Sequence, residues 1–174
     1  MRISMYSASV PVFQRYLGNL SLILEKAEAH AAARQIDQQA LLQARLFPDM
    51  LPLIRQVQIA VDFAKRACAP LAGVALPQYD NSEQTFADLR VRIARTLAFI
   101  DALPEAQIDG SEEREIVDQA GREIKHFNGH DFLLQYALPN FYFHVMSAYA
   151  ILRHNGIELG KRDFDGHHVY TAAN

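Results

Sequence analysis

Apolar residues recur at three- and four-residue steps in four long stretches of this chain, and this periodicity limits the fold more than any other feature. Each stretch is long enough for an amphipathic helix, whose apolar stripe has to be buried against other elements. The predicted helices cover residues 7–33, a stretch from about residue 50 to a stop before Pro70 or at Gly73, a third from a cap at Asn81 or Ser82 to Leu103, and residues 129–156. The pattern therefore predicts an all-α fold, a four-helix bundle.

The segment before the last helix has a different pattern. Apolar and polar residues alternate over residues 115–117 and 123–127, on either side of Ala120-Gly121. Alternation around a short turn is typical of a β-hairpin, so we expect a hairpin-like insert here. Residues 1–166 should form one domain, and residues 167–174 are predicted to be a flexible C-terminal tail.

Composition excludes several classes of function. The chain has 174 residues and a net charge of -3, and its basic residues are scattered, which argues against nucleic acid as a partner. No apolar run approaches the ~20 residues that a membrane helix needs. The single cysteine, Cys68, cannot form an internal disulfide, and the first six residues lack the pattern of a signal peptide. We therefore expect a cytoplasmic protein.

The candidate functional residues lie on the second and last predicted helices. Asn140 and His144 are one turn apart, directly after Pro139, which either kinks the last helix or starts a new one. Gln58 and Asp62 have the same four-residue spacing on the second helix. If these two helices are neighbours, all four side chains converge, either as a binding site or as a buried hydrogen-bond network.

Other motifs add little to this set. Tyr142 contributes a hydroxyl that can line a cleft beside Asn140 and His144. The sequence contains no glycine-rich phosphate loop, no serine nucleophile elbow and no paired-cysteine motif. These absences remove several classes of enzyme.

Four segments of the chain resemble a bacterial family of unknown function within the DinB/YfiT-like superfamily of inferred metalloenzymes. The segments are SMY…VPVF (residues 4–13), ARLFPDM (44–50), RQVQIAVDFAK (55–65) and LPNFYFH…LRHNG (138–156). The resemblance implies a DinB-like four-helix bundle and a homodimer. Some members of that superfamily are metal-dependent enzymes that use low-molecular-weight thiols.

The resemblance also implies where a metal would be held. Three histidines bind a divalent metal in the superfamily, one from the second helix and two from the last. His144 matches one of these, Asn140 falls on the second, and the third falls near Gln58 or Asp62. The implied site is degenerate, with His144 and Asp62 as ligands that hold zinc or nickel weakly or not at all.

Three functions therefore stay open from the sequence. The first is a small-molecule-binding or stress-related protein with a degenerate metal site. The second is a metal-dependent thiol transferase or hydrolase that uses His144. The third is a structural dimerisation module whose internal polar residues fix the register of its helices.

Overall fold

The computed structural model describes residues 3–168 and is mostly helical, with one small sheet. In chain order, the helices are α1 (Val10–Ala33), α2 (Gln38–Leu42), α3 (Leu53–Ala72), α4 (Phe86–Asp101), α5 (Glu105–Ile108), α6 (Gly129–Asp131), α7 (Leu138–His154) and α8 (Lys161–Asp165). Strands β1 (Glu115–Ala120) and β2 (Glu123–Asn128) lie between α5 and α6, and a π-helical turn (Phe132–Ala137) joins α6 to α7.

The four long helices pack around one hydrophobic core. Helix α3 lies against both α7 and α4, and α1 lies against α4, α8 and α7. The predicted apolar stripes are buried, and two of the largest buried side chains, Phe13 and Phe141, meet edge to face with ring centroids 4.9 Å apart. The predicted neighbourhood of the second and last long helices is thus present as α3 and α7.

The end of α3 decides between two sequence predictions, and the start of α4 corrects one. Helix α3 continues through Pro70 and ends at Gly73, whose positive φ of 70° closes it, so the predicted end at Gly73 is confirmed and the alternative before Pro70 is wrong. Helix α4 begins after Thr85 rather than after Asn81 or Ser82. The Thr85 hydroxyl accepts from the Asp88 N–H and the Asp88 carboxylate accepts from the Thr85 N–H, which satisfies two otherwise free donors.

The predicted hairpin is confirmed. Strands β1 and β2 are antiparallel, with Ile116 opposite Phe127, and they turn at Gly121, whose φ is 64°. Ile116 is buried, and the Phe127 ring contacts Phe132 and Tyr136 at the start of the last helical segment. The hairpin is therefore fixed to the body of the molecule through its apolar face.

The last predicted helix is divided into three consecutive pieces. In the π-helical turn, the Leu138 N–H donates to the Leu133 carbonyl, five residues earlier instead of four. Pro139 is the second residue of α7, but Ala137 and Leu138 before it already have helical backbone angles, so the helix continues through this junction without a break. A proline inside a helix disrupts the hydrogen bond to the carbonyl four residues earlier, and the wider π-helical turn lies at that point.

Candidate functional site

The residues predicted to form one site have different partners and lie on different helix faces. Successive residues of a helix are about 100° apart, so two residues at i and i+2 point to nearly opposite sides. On α3 this separates Gln56, which contacts α7, from Gln58, whose partner Glu83 precedes α4. On α7 it separates Tyr142, which contacts α1, from His144, which contacts α3. The predicted convergence of Gln58 and Asp62 on His144 is thus not what the structure shows.

His144 is held by a glutamine that the sequence analysis did not select. Its Nδ1 lies 2.7 Å from the Oε1 of Gln56. The Gln56 amide nitrogen donates to the Leu51 carbonyl at 3.1 Å, so the oxygen of this amide faces the imidazole. The hydrogen-bond network therefore assigns the proton to Nδ1 of His144 and leaves a lone pair on Nε2.

The surroundings of His144 are aromatic. The Phe63 ring stacks on the imidazole with centroids 5.9 Å apart and an angle of 18° between the planes. The Phe143 ring meets it edge to face, and 57% of Phe143 is exposed. His144 itself is half-buried, so this face of α7 combines one polar atom with accessible apolar surface.

Burial lowers the pKa of His144 from 6.5 to about 4. No charged partner opposes this shift, because the atom that faces Nδ1 is an uncharged amide oxygen. The imidazole is therefore neutral at pH 7 and can accept a hydrogen bond at Nε2. As a general base it is weak, since an efficient base has a pKa near the working pH.

The side-chain amide of Asn140 is hydrogen-bonded within its own helical segment rather than to His144. The side-chain nitrogen of Asn140 donates to the Tyr136 carbonyl at 2.7 Å. Tyr136 lies in the π-helical turn, so the amide of Asn140 satisfies a carbonyl at the irregular junction. The residue thus has a local structural role at the position where the resemblance implies a histidine.

Gln58 and Asp62 belong to a charged cluster between α3 and α4. Its centre is Arg92, whose side chain is only 2% exposed and whose guanidinium lies 2.7 Å from Asp62 and 2.8 Å from Glu83. Gln58 donates to Glu83 at 2.7 Å, and Lys65 lies 3.2 Å from Asp62. The carboxylate of Asp62 is therefore committed to two cations.

The same cluster fastens the extended segment that precedes α4. Arg92 also donates to the Asp80 carbonyl, and Lys65 donates to the Pro77 carbonyl, both at 2.9 Å. The Tyr79 ring faces three cations, with Arg95 nearest at 4.4 Å from the centroid. Sequence analysis missed Arg92. Its position between Leu89 and Ile93, on a stripe predicted to be buried, indicates that this arginine is buried too and needs charged partners.

The residues present do not fit a divalent metal. In the part of the chain that the structure describes, no group of three or more His, Cys, Asp or Glu side chains could hold a metal ion. His144 has one free nitrogen, whereas Asp62 is paired with Arg92 and Lys65. Zinc and nickel sites in proteins need several imidazole, thiolate or carboxylate ligands around one point.

Tyr142, the remaining predicted site residue, contacts α1. Its ring meets that of Tyr16 edge to face, with centroids 5.0 Å apart. Burial raises the pKa of Tyr142 to about 12, and the charge and hydrogen bonding of the Tyr16 hydroxyl add to this effect. Tyr142 thus stays protonated and belongs to a different surface of α7 from His144.

The comparisons with known proteins agree with this fold. Residues 5–165 match a family model described as "Domain of unknown function (DUF1993)". The chain belongs to the DUF1993 family. This DUF1993 protein is 42% identical to a solved structure, a DinB family member protein from Shewanella denitrificans, with a TM-score of 0.87. The match covers 97% of this chain and 95% of that one, so the DUF1993 chain is a member of a DinB-like family.

Two further observations assign no function to this chain. No protein with curated annotation matches the DUF1993 chain significantly. Within residues 3–168, every helix is too short or too polar to cross a membrane.

Proposed function

We propose that this DUF1993 protein is a DinB-like four-helix bundle with a degenerate metal site, and that it binds a small organic molecule at His144. One observation supports this proposal above the others. The hydrogen bond from Nδ1 to Gln56 fixes one neutral tautomer, which leaves Nε2 as a defined acceptor next to exposed aromatic surface. The position where the resemblance implies a metal ligand would thus serve a neutral ligand here.

The surroundings of His144 define the chemistry of such a ligand. It needs an O–H or N–H group to donate to Nε2, and an apolar ring to pack against Phe143. Phenol is the simplest probe with both properties. Aromatic pairs add ~0.5–1.5 kcal/mol beyond the area they bury, so we expect weak but specific binding.

The electrostatics of the site favour binding over catalysis. With a pKa of about 4, the imidazole of His144 is a poor proton acceptor at pH 7. Asp62, the other predicted participant, is neutralised by Arg92 and Lys65. The stress-related role predicted from the sequence is compatible with this binding activity and stays part of the proposal.

Nitrogen-15 NMR of histidine-labelled, untagged protein tests the proposal. Phenol should shift the Nε2 resonance of His144 in a saturable manner, and His144→Phe should abolish binding while it keeps a ring against Phe63. His154→Phe is the matched control, because His154 is exposed in the last turn of the same helix. Equal phenol binding by the wild type and His144→Phe would refute the proposal.

The second candidate function is a metal-dependent thiol transferase or hydrolase. The free lone pair on Nε2 of His144 favours it, because a neutral imidazole is the form that binds metals. Elemental analysis of untagged protein distinguishes the two functions. Stoichiometric zinc or nickel that is lost in His144→Phe would support the enzyme, and absence of metal together with phenol binding would support the proposed function.

Homodimer formation and a location in the bacterial cytoplasm complete the proposal. The resemblance implies the dimer, and a single buried cysteine is compatible with a reducing compartment. Sedimentation equilibrium of the untagged chain measures the first of these. A monomer at all concentrations would remove the third function, a dimerisation module.

A further inference from the structure

A cavity of about 350 Å³ lies on the side of α7 that carries Tyr142. It is bounded by the start of α1, by α7 and by the segment that follows α8. Its lining residues are Ser7, Pro11, Val12, Arg15, Tyr16, Tyr142 and His167. The lining contains one permanent cation and no carboxylate.

Arg15 contacts a histidine in this cavity. Its Nη1 atom lies 2.5 Å from the Nε2 of His167, and because a guanidinium can only donate, Nε2 is the acceptor of this hydrogen bond. Among residues 3–168, no carboxylate pairs with Arg15. The two nearby acids of α8 are committed elsewhere, Asp163 to Lys26 and Asp165 to His168. Arg15 is exposed, its charge is not paired with a carboxylate of the described residues, and its remaining donors are available.

The tyrosine pair adds a further donor. Tyr16 and Tyr142 both line the cavity, and their rings meet edge to face with centroids 5.0 Å apart. A tyrosine hydroxyl carries one O–H donor, so Tyr16 can donate a hydrogen bond to a ligand in the cavity. Pro11 and Val12 supply apolar surface opposite these polar groups.

The position of His167 is fixed by the structure around α8. Asn19 donates to the Phe164 carbonyl at 2.9 Å, which holds α8 on α1. The buried Asp165 carboxylate then accepts from the His167 N–H at 2.8 Å, after a turn at Gly166 with a φ of 73°. His167 and His168 are thus fastened, whereas the rest of the predicted tail, 169–174, lies outside the described residues.

We infer that this cavity binds a small organic carboxylate with an apolar body, through the Arg15 guanidinium and the Tyr16 hydroxyl. The planar donor edge of arginine matches a carboxylate, and the apolar walls match a ring or a short chain. The start of the 24-residue helix α1 adds favourable partial positive charge. The volume falls in the range of ordinary small-molecule pockets, ~300–1,000 Å³.

Isothermal titration of full-length, untagged protein with sodium benzoate at constant ionic strength tests this inference. Arg15→Gln should weaken benzoate binding about tenfold or more, because a charge-assisted hydrogen bond is lost. Arg34→Gln is the matched control, an exposed arginine at the end of the same helix, and it should leave binding unchanged. Benzamide, the neutral analogue, should bind the wild type at least tenfold more weakly than benzoate.

Three results would overturn the inference. These are equal benzoate affinity in the wild type and Arg15→Gln, equal loss in Arg15→Gln and Arg34→Gln, and equal binding of benzoate and benzamide. Inorganic phosphate is tested separately. If phosphate binds as tightly as benzoate and its binding also depends on Arg15, the site recognises anions in general and the inferred preference for carboxylates is wrong. His144→Phe should leave benzoate binding unchanged, so the test is independent of the proposed function at His144.

Discussion

Replacement of Arg92 by methionine should strongly destabilise this DUF1993 protein. The variant keeps an unbranched side chain of similar length but removes the guanidinium that Asp62 and Glu83 share. The side chain of Glu83 is 11% exposed and that of Asp62 is 27% exposed, so neither carboxylate is fully hydrated after the change. Removal of one partner of a buried ion pair costs about 3–5 kcal/mol.

The low end of that range is the expected value. Asp62 keeps Lys65 at 3.2 Å, and Glu83 keeps the amide of Gln58 at 2.7 Å. We therefore expect a loss of about 3 kcal/mol in the free energy of unfolding, and a midpoint temperature lower by about 6–12 °C for a chain of this size.

Urea unfolding monitored by far-ultraviolet circular dichroism measures this loss. Arg95→Met is the matched control, since Arg95 contacts the same Tyr79 ring but is exposed, and it should cost less than about 1 kcal/mol. The reasoning is refuted if the two variants lose the same stability. It is also refuted if the double variant with Glu83→Gln shows no coupling to Arg92→Met.

Three further predictions concern other parts of the molecule. Because the pKa of His144 is depressed in the folded state, the unfolded chain takes up its proton first as the pH falls from 6.5 to about 4. Stability should thus fall by about 1–2 kcal/mol over this window after allowance for partial exposure, and urea titrations of His144→Gln should lack this contribution. Gly129→Ala should cost about 3 kcal/mol or prevent folding, since its Cβ would lie 2.0 Å from the Ser111 carbonyl oxygen, and a near-wild-type melting temperature would contradict this. Burial raises the pKa of the Cys68 thiol, so Ellman's reagent should modify Cys68 only at the rate of unfolding, and rapid modification of native protein would be inconsistent with the structure.

Periodicity was sufficient to predict the long helices and the hairpin. Burial of Phe13, Leu17 and similar residues follows from their spacing, because a helical stripe has to face other apolar surface. The start of α4 was missed because Asn81 and Ser82, which precede it, could each have served as a cap. The spacing of Thr85 and Asp88, which form the reciprocal cap, was the signal that would have distinguished Thr85 from these two.

The hydrogen-bond partner of His144 was harder to predict from the sequence. Gln56 and Gln58 are both polar residues on α3, and the choice between them depends on how α3 is rotated about its axis against α7. That rotation is set by tertiary packing, which places Gln56 and Phe63, seven residues apart, on the face that contacts His144. The anchoring of His167 depends likewise on Asp165 and Asn19, which are distant from each other in the chain.

The π-helical turn before Pro139 changes the direction in which side chains point around the helix axis. One residue corresponds to about 100° of rotation about a helix axis. A hydrogen bond that spans five residues instead of four therefore rotates the residues before the turn relative to those after it. Phe132 and Tyr136, which anchor the hairpin, are thus aimed independently of the face that α7 presents to α3. Deletion of a single residue from this turn would rotate Phe132 and Tyr136 by about a quarter of a revolution relative to α7.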